Sequence, residues 1–189
     1  MAIKVNQVLD AKGLACPMPI VKTRKAINEL EPGQVIEVQA TDKGSTADIQ
    51  AWAKSTGQHY LGTVEEDHVL KHYLRKGSLD EEKEVAKHPY TIDLDSLRKK
   101  IEGDEKITLL DVREPAEFAF GHIPGAQHIS LGELEERFEE LNQEDDIYVI
   151  CRTGHRSDMA SRQLTEKGLS QVINVVPGMS EWQGAIEKE

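Results

Sequence analysis

Cysteine is scarce in this chain, which holds only Cys16 and Cys151 among its 189 residues. Two cysteines far apart in sequence, neither in a C-x-x-C pair, exclude a disulfide framework and a zinc site built from cysteine pairs. No apolar run approaches the roughly 18 residues that span a membrane, and the opening MAIKVNQVLD lacks the apolar core of a signal peptide. We therefore expect a cytoplasmic globular protein with reduced thiols and no membrane partner.

Positive charge is also in short supply, with 23 Lys and Arg against 34 Asp and Glu and a net charge of −11. This balance disfavours direct nucleic-acid binding. The charge is uneven, because residues 1–78 carry a net +1 and residues 90–189 a net −10. We predict two domains, residues 1–76 and 90–189, joined by the polar linker 77–89, which could extend over roughly 40 Å. The oligomeric state stays open, with a homodimer as one candidate.

The two halves have different strand and helix patterns, and both are of the α/β class. Residues 5–74 predict the order β-α-β-α-β-β, a two-layer sandwich of helices on a mixed sheet. Within it, Ser45 and Asp48 resemble a helix capping box. From residue 90, apolar strands alternate with helices, one of them an acidic helix over 131–141, which indicates a parallel sheet with helices on both faces. Ligands bind at the carboxyl ends of such strands, where Cys151 follows the run IYVI.

The stretch CRTGHRS, residues 151–157, lies between a predicted strand and a predicted helix. A chain that curls from a strand into a helix turns several backbone N–H groups inward, and the helix adds its positive end. Such a loop stabilises a thiolate at Cys151, and it equally stabilises an anionic group attached to that sulfur. Arg152 and Arg156 add positive charge nearby.

Three motifs in order, DVREPAEFAFGHIPGA at 111–126, CRTGHRS at 151–157 and GMSEW at 178–182, closely resemble a single-domain rhodanese. The resemblance implies that Cys151 attacks a sulfane sulfur, holds it as a persulfide and passes it to a nucleophilic acceptor. It assigns Asp111 and Arg113 to structural support. The loop residues that it implies in binding the donor or the persulfide are Arg152, Thr153, Gly154, His155, Arg156 and Ser157. His155 occupies a variable position, and an exposed loop residue is the alternative there.

Phosphate or arsenate chemistry at Cys151 is an alternative. The related phosphatases and arsenate reductases use a C-x5-R loop, whereas four residues separate Cys151 from Arg156. The smaller loop favours a single sulfur over a tetrahedral oxyanion.

The other cysteine lies in DAKGLACPMPIVKTRKAI, where Pro17 suits the first turn of a helix. The helix terminus and the basic residues Lys12, Lys22, Arg24 and Lys25 predict a lowered pKa for an exposed Cys16. The motif G-L-x-C-P-x-P resembles the TusA-like (SirA-like) sulfur carrier family over about residues 5–75. That resemblance implies that Cys16 carries a persulfide between a donor and an acceptor.

Together these features predict a two-domain sulfurtransferase without a cofactor or a metal site. Its partners would be a small sulfane-sulfur donor, such as thiosulfate or a low-molecular-weight persulfide, and a thiol or protein acceptor. A non-enzymatic persulfide or redox sensor is the rival interpretation. His68 and His72, four residues apart, lie in a strand-like run, which predicts solvent-facing side chains rather than metal ligands.

Overall fold

A computed structural model describes residues 3–78, 88–103 and 105–189, which form two compact units, one up to residue 78 and one from residue 88. Most of the predicted linker lies outside the described residues. His88, which was assigned to that linker, is buried in the second unit. Its backbone N–H donates to the Asp158 carboxylate, and its ring nitrogen Nε2 donates to the Val172 carbonyl at 2.8 Å. The linker therefore ends before His88, rather than at residue 89 as predicted.

The first unit is the predicted β-α-β-α-β-β sandwich. Its strands form one mixed sheet in the order β1-β2-β4-β3, in which only the pair β1 and β2 is parallel. The elements are β1 (Gln7–Asp10), α1 (Met18–Glu29), β2 (Val35–Ala40), α2 (Ser45–Ser55), β3 (His59–Glu66) and β4 (Val69–Arg75).

The core of the first unit lies between its sheet and its two helices. The sheet contributes Ile36, Val38 and Leu74, and the helices contribute Ile27 and Ile49, all fully or almost fully buried. In β4, Leu74 faces this core, so alternation along the strand turns Leu70 and His72 toward the helices as well.

The second unit is the predicted parallel sheet, and its five strands follow the order β5-β9-β8-β6-β7. Two short strands, β5 and β7, were not predicted. The strands are β5 (Thr91–Asp93), β6 (Ile107–Asp111), β7 (Gln127–His128), β8 (Asp146–Ile150) and β9 (Val172–Val176), and the helices are α3 (Leu94–Glu102), α4 (Pro115–Phe120), α5 (Leu134–Arg137) and α6 (His155–Glu166).

Both faces of the second sheet are covered, as β8 illustrates. Ile147 and Val149 point into a cluster that includes α6, whereas Tyr148 and Ile150 point into a second cluster that includes α3. Burial on both faces explains why this strand is a continuous apolar run. None of the helices in the described ranges is both long enough and apolar enough to cross a bilayer.

The acidic segment 131–141 was predicted as one helix, and this prediction is wrong. A turn precedes the short α5, and a 3-10 turn, Phe138–Glu140, follows it. The predicted inward residues do pack inward, because Leu134 and Leu141 are buried and Leu131 and Phe138 lie partly buried against the same cluster. The turn, α5 and the 3-10 turn follow one another directly, and together they keep these four residues, three or four positions apart, on the inner side of the segment.

Candidate functional site: an enclosed cysteine and an exposed one

Cys151 lies at the carboxyl end of β8, in the short loop that leads into α6. The side chain is almost completely buried, with 1% of its surface exposed. Two groups donate to its sulfur, the Gly154 backbone N–H at 3.2 Å and the Ser157 hydroxyl at 3.3 Å. Gly154 has a φ of +88°, a left-handed conformation that brings its N–H back toward the sulfur. This loop can stabilise negative charge at or next to Sγ.

The segment after β9 forms hydrogen bonds with the backbone of the cysteine loop. The N–H groups of Met179 and Ser180 donate to the carbonyls of Cys151 and Arg152 at 2.8 and 2.9 Å, which directs these carbonyls away from the sulfur. Gly178 makes this approach feasible. It has a φ of +109°, and a Cβ there would lie 2.5 Å from the Cys151 carbonyl oxygen. The GMSEW motif therefore shapes the cysteine loop.

Arg156 does not lie where the sequence analysis expected it. Its side chain is buried, and its guanidinium makes a bidentate ion pair with Glu117 of α4, with N–O distances of 2.7 and 2.9 Å. This buried, bidentate ion pair joins α6 and the cysteine loop to α4. Glu117 was missed because its partner is 39 positions away. Of the two loop arginines, Arg152 has the more exposed side chain.

The remaining predicted residues divide between the edge of the loop and its base. Thr153 and His155 are partly exposed next to Gly154. Asp111 and Arg113 form a buried ion pair below the loop, where Arg113 Nη2 lies 2.6 Å from the carboxylate and 2.7 Å from the Gly121 carbonyl. Asp111 is the register partner of Ile150, the residue before the cysteine.

Cys16 is exposed, in the turn that precedes α1. The turn is tied to the loop after β2, because the Gly13 N–H donates to the Thr41 hydroxyl at 2.9 Å. Since β1 and β2 are parallel, both loops lie at the same edge of the sheet. The turn that holds Cys16 therefore lies at the same edge of the sheet as the loop that leads into α2.

The predicted lowering of the Cys16 pKa is wrong. Interaction with the Asp48 carboxylate, in the first turn of α2, is the largest cause that raises the pKa of Cys16 above its ordinary value, and desolvation and the negative charges of Asp48 and Asp42 add to it. Lys12, one of the basic residues invoked, lies 3.5 Å from Asp10 and donates to Gln39 at 3.1 Å. The prediction considered only the segment around Cys16, whereas the carboxylates of Asp42, in the loop before α2, and Asp48, in α2, have the larger effect on its pKa.

His72 is not solvent-facing either. It is fully buried, Nε2 lies 2.9 Å from the Ser45 hydroxyl and Nδ1 lies 2.8 Å from the Thr63 hydroxyl. The predicted capping box at Ser45 is absent, because the Ser45 hydroxyl instead donates to the Asp42 carbonyl at 2.6 Å. Burial lowers the pKa of His72 to about 4. Among the described residues, no cluster of three or more His, Cys, Asp or Glu is placed to hold a metal ion.

Comparison with known proteins links each cysteine to a family. The model for sulfurtransferase TusA matches residues 7–76, and the model for the rhodanese-like domain matches residues 93–185. The Bacillus subtilis "Putative sulfur carrier protein YrkF" is 53% identical over 98% of this chain and 100% of its own length. The sulfur carrier protein TusA of Allochromatium vinosum is 45% identical over 39% of this chain and 95% of its own.

The second unit has a structural counterpart as well. A rhodanese-like domain protein from Staphylococcus aureus, 28% identical, superimposes with a TM-score of 0.50 and covers 53% of this chain and 98% of that chain. The family models and the full-length relative agree with the two folds and with the motifs around both cysteines. The chain thus belongs to the family that joins a TusA sulfur-carrier domain to a rhodanese-like domain, and its chemistry is sulfur transfer.

Proposed function

We propose that Cys151 accepts a sulfane sulfur from thiosulfate or a low-molecular-weight persulfide and exchanges it with Cys16 or another thiol acceptor. The observation that carries this proposal is the pair of donors, Gly154 N–H and Ser157 O–H, directed at a cysteine sulfur at the carboxyl end of a central strand. Donors of this kind stabilise the thiolate, and they suit the extra sulfur of a persulfide equally well.

The transfer has two displacement steps. The Cys151 thiolate attacks the outer sulfur of thiosulfate, a new S–S bond forms, and the old S–S bond breaks with its electron pair leaving on sulfite. A thiol or thiolate acceptor then attacks the outer sulfur of the persulfide, and Cys151 leaves as a thiolate. No oxidant enters either step, because the sulfane sulfur keeps its oxidation state.

We assign different roles to the loop side chains. Arg152, which is partly exposed, attracts the anionic donor, and Thr153 and His155 contact it at the edge of the loop. Arg156 acts indirectly, through its buried ion pair with Glu117, by holding the loop in shape. The backbone N–H groups of residues 153–157 surround the persulfide.

Cys16 is the carrier in this proposal. Its exposure suits transfer between proteins, since a partner's sulfur can reach it without opening the fold. Sulfur can enter the chain at Cys151 and leave at Cys16, or flow in the reverse direction, and transfer within one chain or between two copies uses the same two thiols. A reducing compartment such as the cytoplasm would keep the exposed thiol free.

Repeated turnover tests the catalytic role. With thiosulfate and cyanide in excess, we expect many equivalents of thiocyanate per chain. Cys151→Ser should abolish its formation, and Cys16→Ser, the matched control, should retain it. Uptake of one sulfur per chain without thiocyanate would instead favour a persulfide sensor. Arsenate consumption by a protein that takes up no sulfane sulfur would favour oxyanion chemistry at Cys151.

A further inference from the structure

A buried amide side chain contacts the cysteine loop from the neighbouring strand. Asn174 lies in β9, which pairs with β8, and only 2% of its surface is exposed. Its side-chain nitrogen Nδ2 donates to the Gly154 carbonyl at 3.3 Å. Gly154 is also the residue whose N–H donates to the Cys151 sulfur. A single residue therefore separates the Asn174 amide from the reactive sulfur.

Asn174 occupies a strand position that points into the core. Alternation along β9 puts its side chain on the same face as Val172, which packs in the apolar cluster that includes α6, whereas Ile173 and Val175 pack on the opposite face. The amide oxygen Oδ1 is buried and has no hydrogen-bond partner among the described residues. A buried polar atom without a partner costs free energy. An apolar side chain would avoid this cost, but it could not donate to Gly154.

Gly154 is the point at which the cysteine loop becomes a helix. Besides the bond from Asn174, its carbonyl accepts the first hydrogen bond of α6, from the Asp158 N–H at 3.1 Å. A Cβ at Gly154 would lie 3.0 Å from Cγ1 of Val176, so the residue packs closely on β9. The other donor to the sulfur, the Ser157 hydroxyl, comes from the first turn of α6. Holding the Gly154 carbonyl against β9 therefore limits the movement of both donors.

We propose that Asn174 is a positioning residue that keeps the Gly154 N–H directed at the Cys151 sulfur during sulfur transfer. This inference rests on the sulfur transfer at Cys151 proposed above. Negative charge leaves Sγ when the persulfide forms, and it returns to Sγ when an acceptor takes the outer sulfur. A donor that is already in place stabilises this charge without reorganising at each step. Asn174 contacts neither the sulfur donor nor the reacting atoms, and it acts through Gly154.

Two substitutions, Asn174→Val and Asn174→Ala, remove the amide, and Val172→Ala is the matched control. Val172 is buried on the same face of β9, two residues earlier in the strand. The parent is the full-length protein with Cys16→Ser, so that only Cys151 takes up sulfur. The first measurement is single-turnover loading of Cys151 by thiosulfate, followed by mass spectrometry at timed intervals. The second is hydrogen exchange of the Gly154 amide, measured by NMR, and the third is thermal unfolding.

At saturating thiosulfate, both Asn174 variants should load Cys151 about 10- to 100-fold more slowly, a smaller loss than the roughly 100- to 1000-fold expected for a deleted donor. The thiosulfate concentration that gives half the maximal rate should stay near that of the parent, because Asn174 does not bind the anion. The Gly154 N–H should exchange faster in both variants. Val172→Ala should lower the unfolding temperature, yet load Cys151 at nearly the rate of the parent.

Thermal unfolding separates positioning from a purely structural role. Asn174→Val should unfold at or above the temperature of the parent, because it removes an unpaired oxygen while the Gly154 carbonyl keeps the Asp158 N–H as its partner. An amide that only supported the fold would instead make this variant less stable.

Loading at the rate of the parent in both folded Asn174 variants would overturn the proposal. Equal slowing in Val172→Ala would overturn it too, because the effect would then come from a general loosening of β9. Unchanged exchange of the Gly154 N–H in both Asn174 variants would also refute the positioning role. A parent that gains no sulfur would refute sulfur transfer at Cys151, and the exchange of the Gly154 N–H would still decide whether Asn174 holds the loop.

Discussion

Acidification should destabilise the first unit through one residue, His72. Its imidazole is fully buried, and each ring nitrogen already has a hydroxyl partner, Ser45 on one side and Thr63 on the other. Protonation would place an unpaired charge in the core, so burial lowers the pKa of His72 from the ordinary 6.5 to about 4. The unfolded chain has no such restriction and takes up a proton below about pH 6.5.

The size of the effect follows from this difference. Between pH 6.5 and pH 4 the unfolded state binds a proton that the folded state does not, and stability therefore falls as the pH falls through this window. Below about pH 4 the folded state is protonated too, and the contribution levels off. For these two pKa values, linkage gives a loss of about 2 kcal/mol from His72 between pH 7 and pH 5.

Urea unfolding at pH 7 and pH 5 measures this loss, followed by Trp52 fluorescence in a Trp182→Phe background so that only the first unit reports. His72→Gln should lose about 2 kcal/mol less than its parent between the two pH values. His68→Asn is the matched control, because His68 is exposed in the turn between β3 and β4, and it should behave like the parent. Equal losses in the parent and in His72→Gln would refute the argument.

Two further substitutions probe how the cysteine loop is held. Glu117→Gln leaves the buried Arg156 without its carboxylate, and calorimetry should show that the protein loses about 3–5 kcal/mol of stability. Thiocyanate formation by this variant should also fall. The control Glu135→Gln removes an exposed ion pair and should change stability by less than about 1 kcal/mol. Gly178→Ala should reduce thiocyanate formation more than Gly168→Ala: both have left-handed φ values, but only at Gly178 would a Cβ clash with the cysteine loop. Equal effects within either pair would contradict the roles assigned here.

Much of the fold could be predicted from the sequence, because local patterns determine it. The order β-α-β-α-β-β in the first unit and the strand before Cys151 follow from hydrophobic periodicity, and the structure confirms them. Short elements were missed: β5 and β7 have three and two residues, too few for a periodic signal.

The position of His72 could also have been inferred. It lies between Leu70 and Leu74 at a spacing of two residues, and the alternation that assigns this run to a strand also puts all three on one face. Its burial therefore follows from the same periodicity. Periodicity does not predict the hydroxyl partner of His72, because Ser45 lies in a helix 27 positions earlier in the chain.

The site was predicted only where neighbours in sequence decide the chemistry. The turn at Gly154 and the donors around Cys151 come from one short stretch. The environment of Cys16 and the partner of Arg156 depend on tertiary contacts with Asp48 and Glu117. The pKa of Cys16 is therefore raised rather than lowered, and Arg156 is paired with Glu117 in the interior.

Intact mass spectrometry after exposure to thiosulfate tests the central claim most directly, comparing the wild type with Cys151→Ser and Cys16→Ser. The account predicts added sulfur on both cysteines of the wild type, on Cys151 alone in Cys16→Ser, and at a strongly reduced rate on Cys16 in Cys151→Ser. If Cys16 gains sulfur at the wild-type rate in Cys151→Ser, transfer from Cys151 to Cys16 is contradicted. A wild type that gains no sulfur from thiosulfate or from a small persulfide would contradict the sulfurtransferase assignment as a whole.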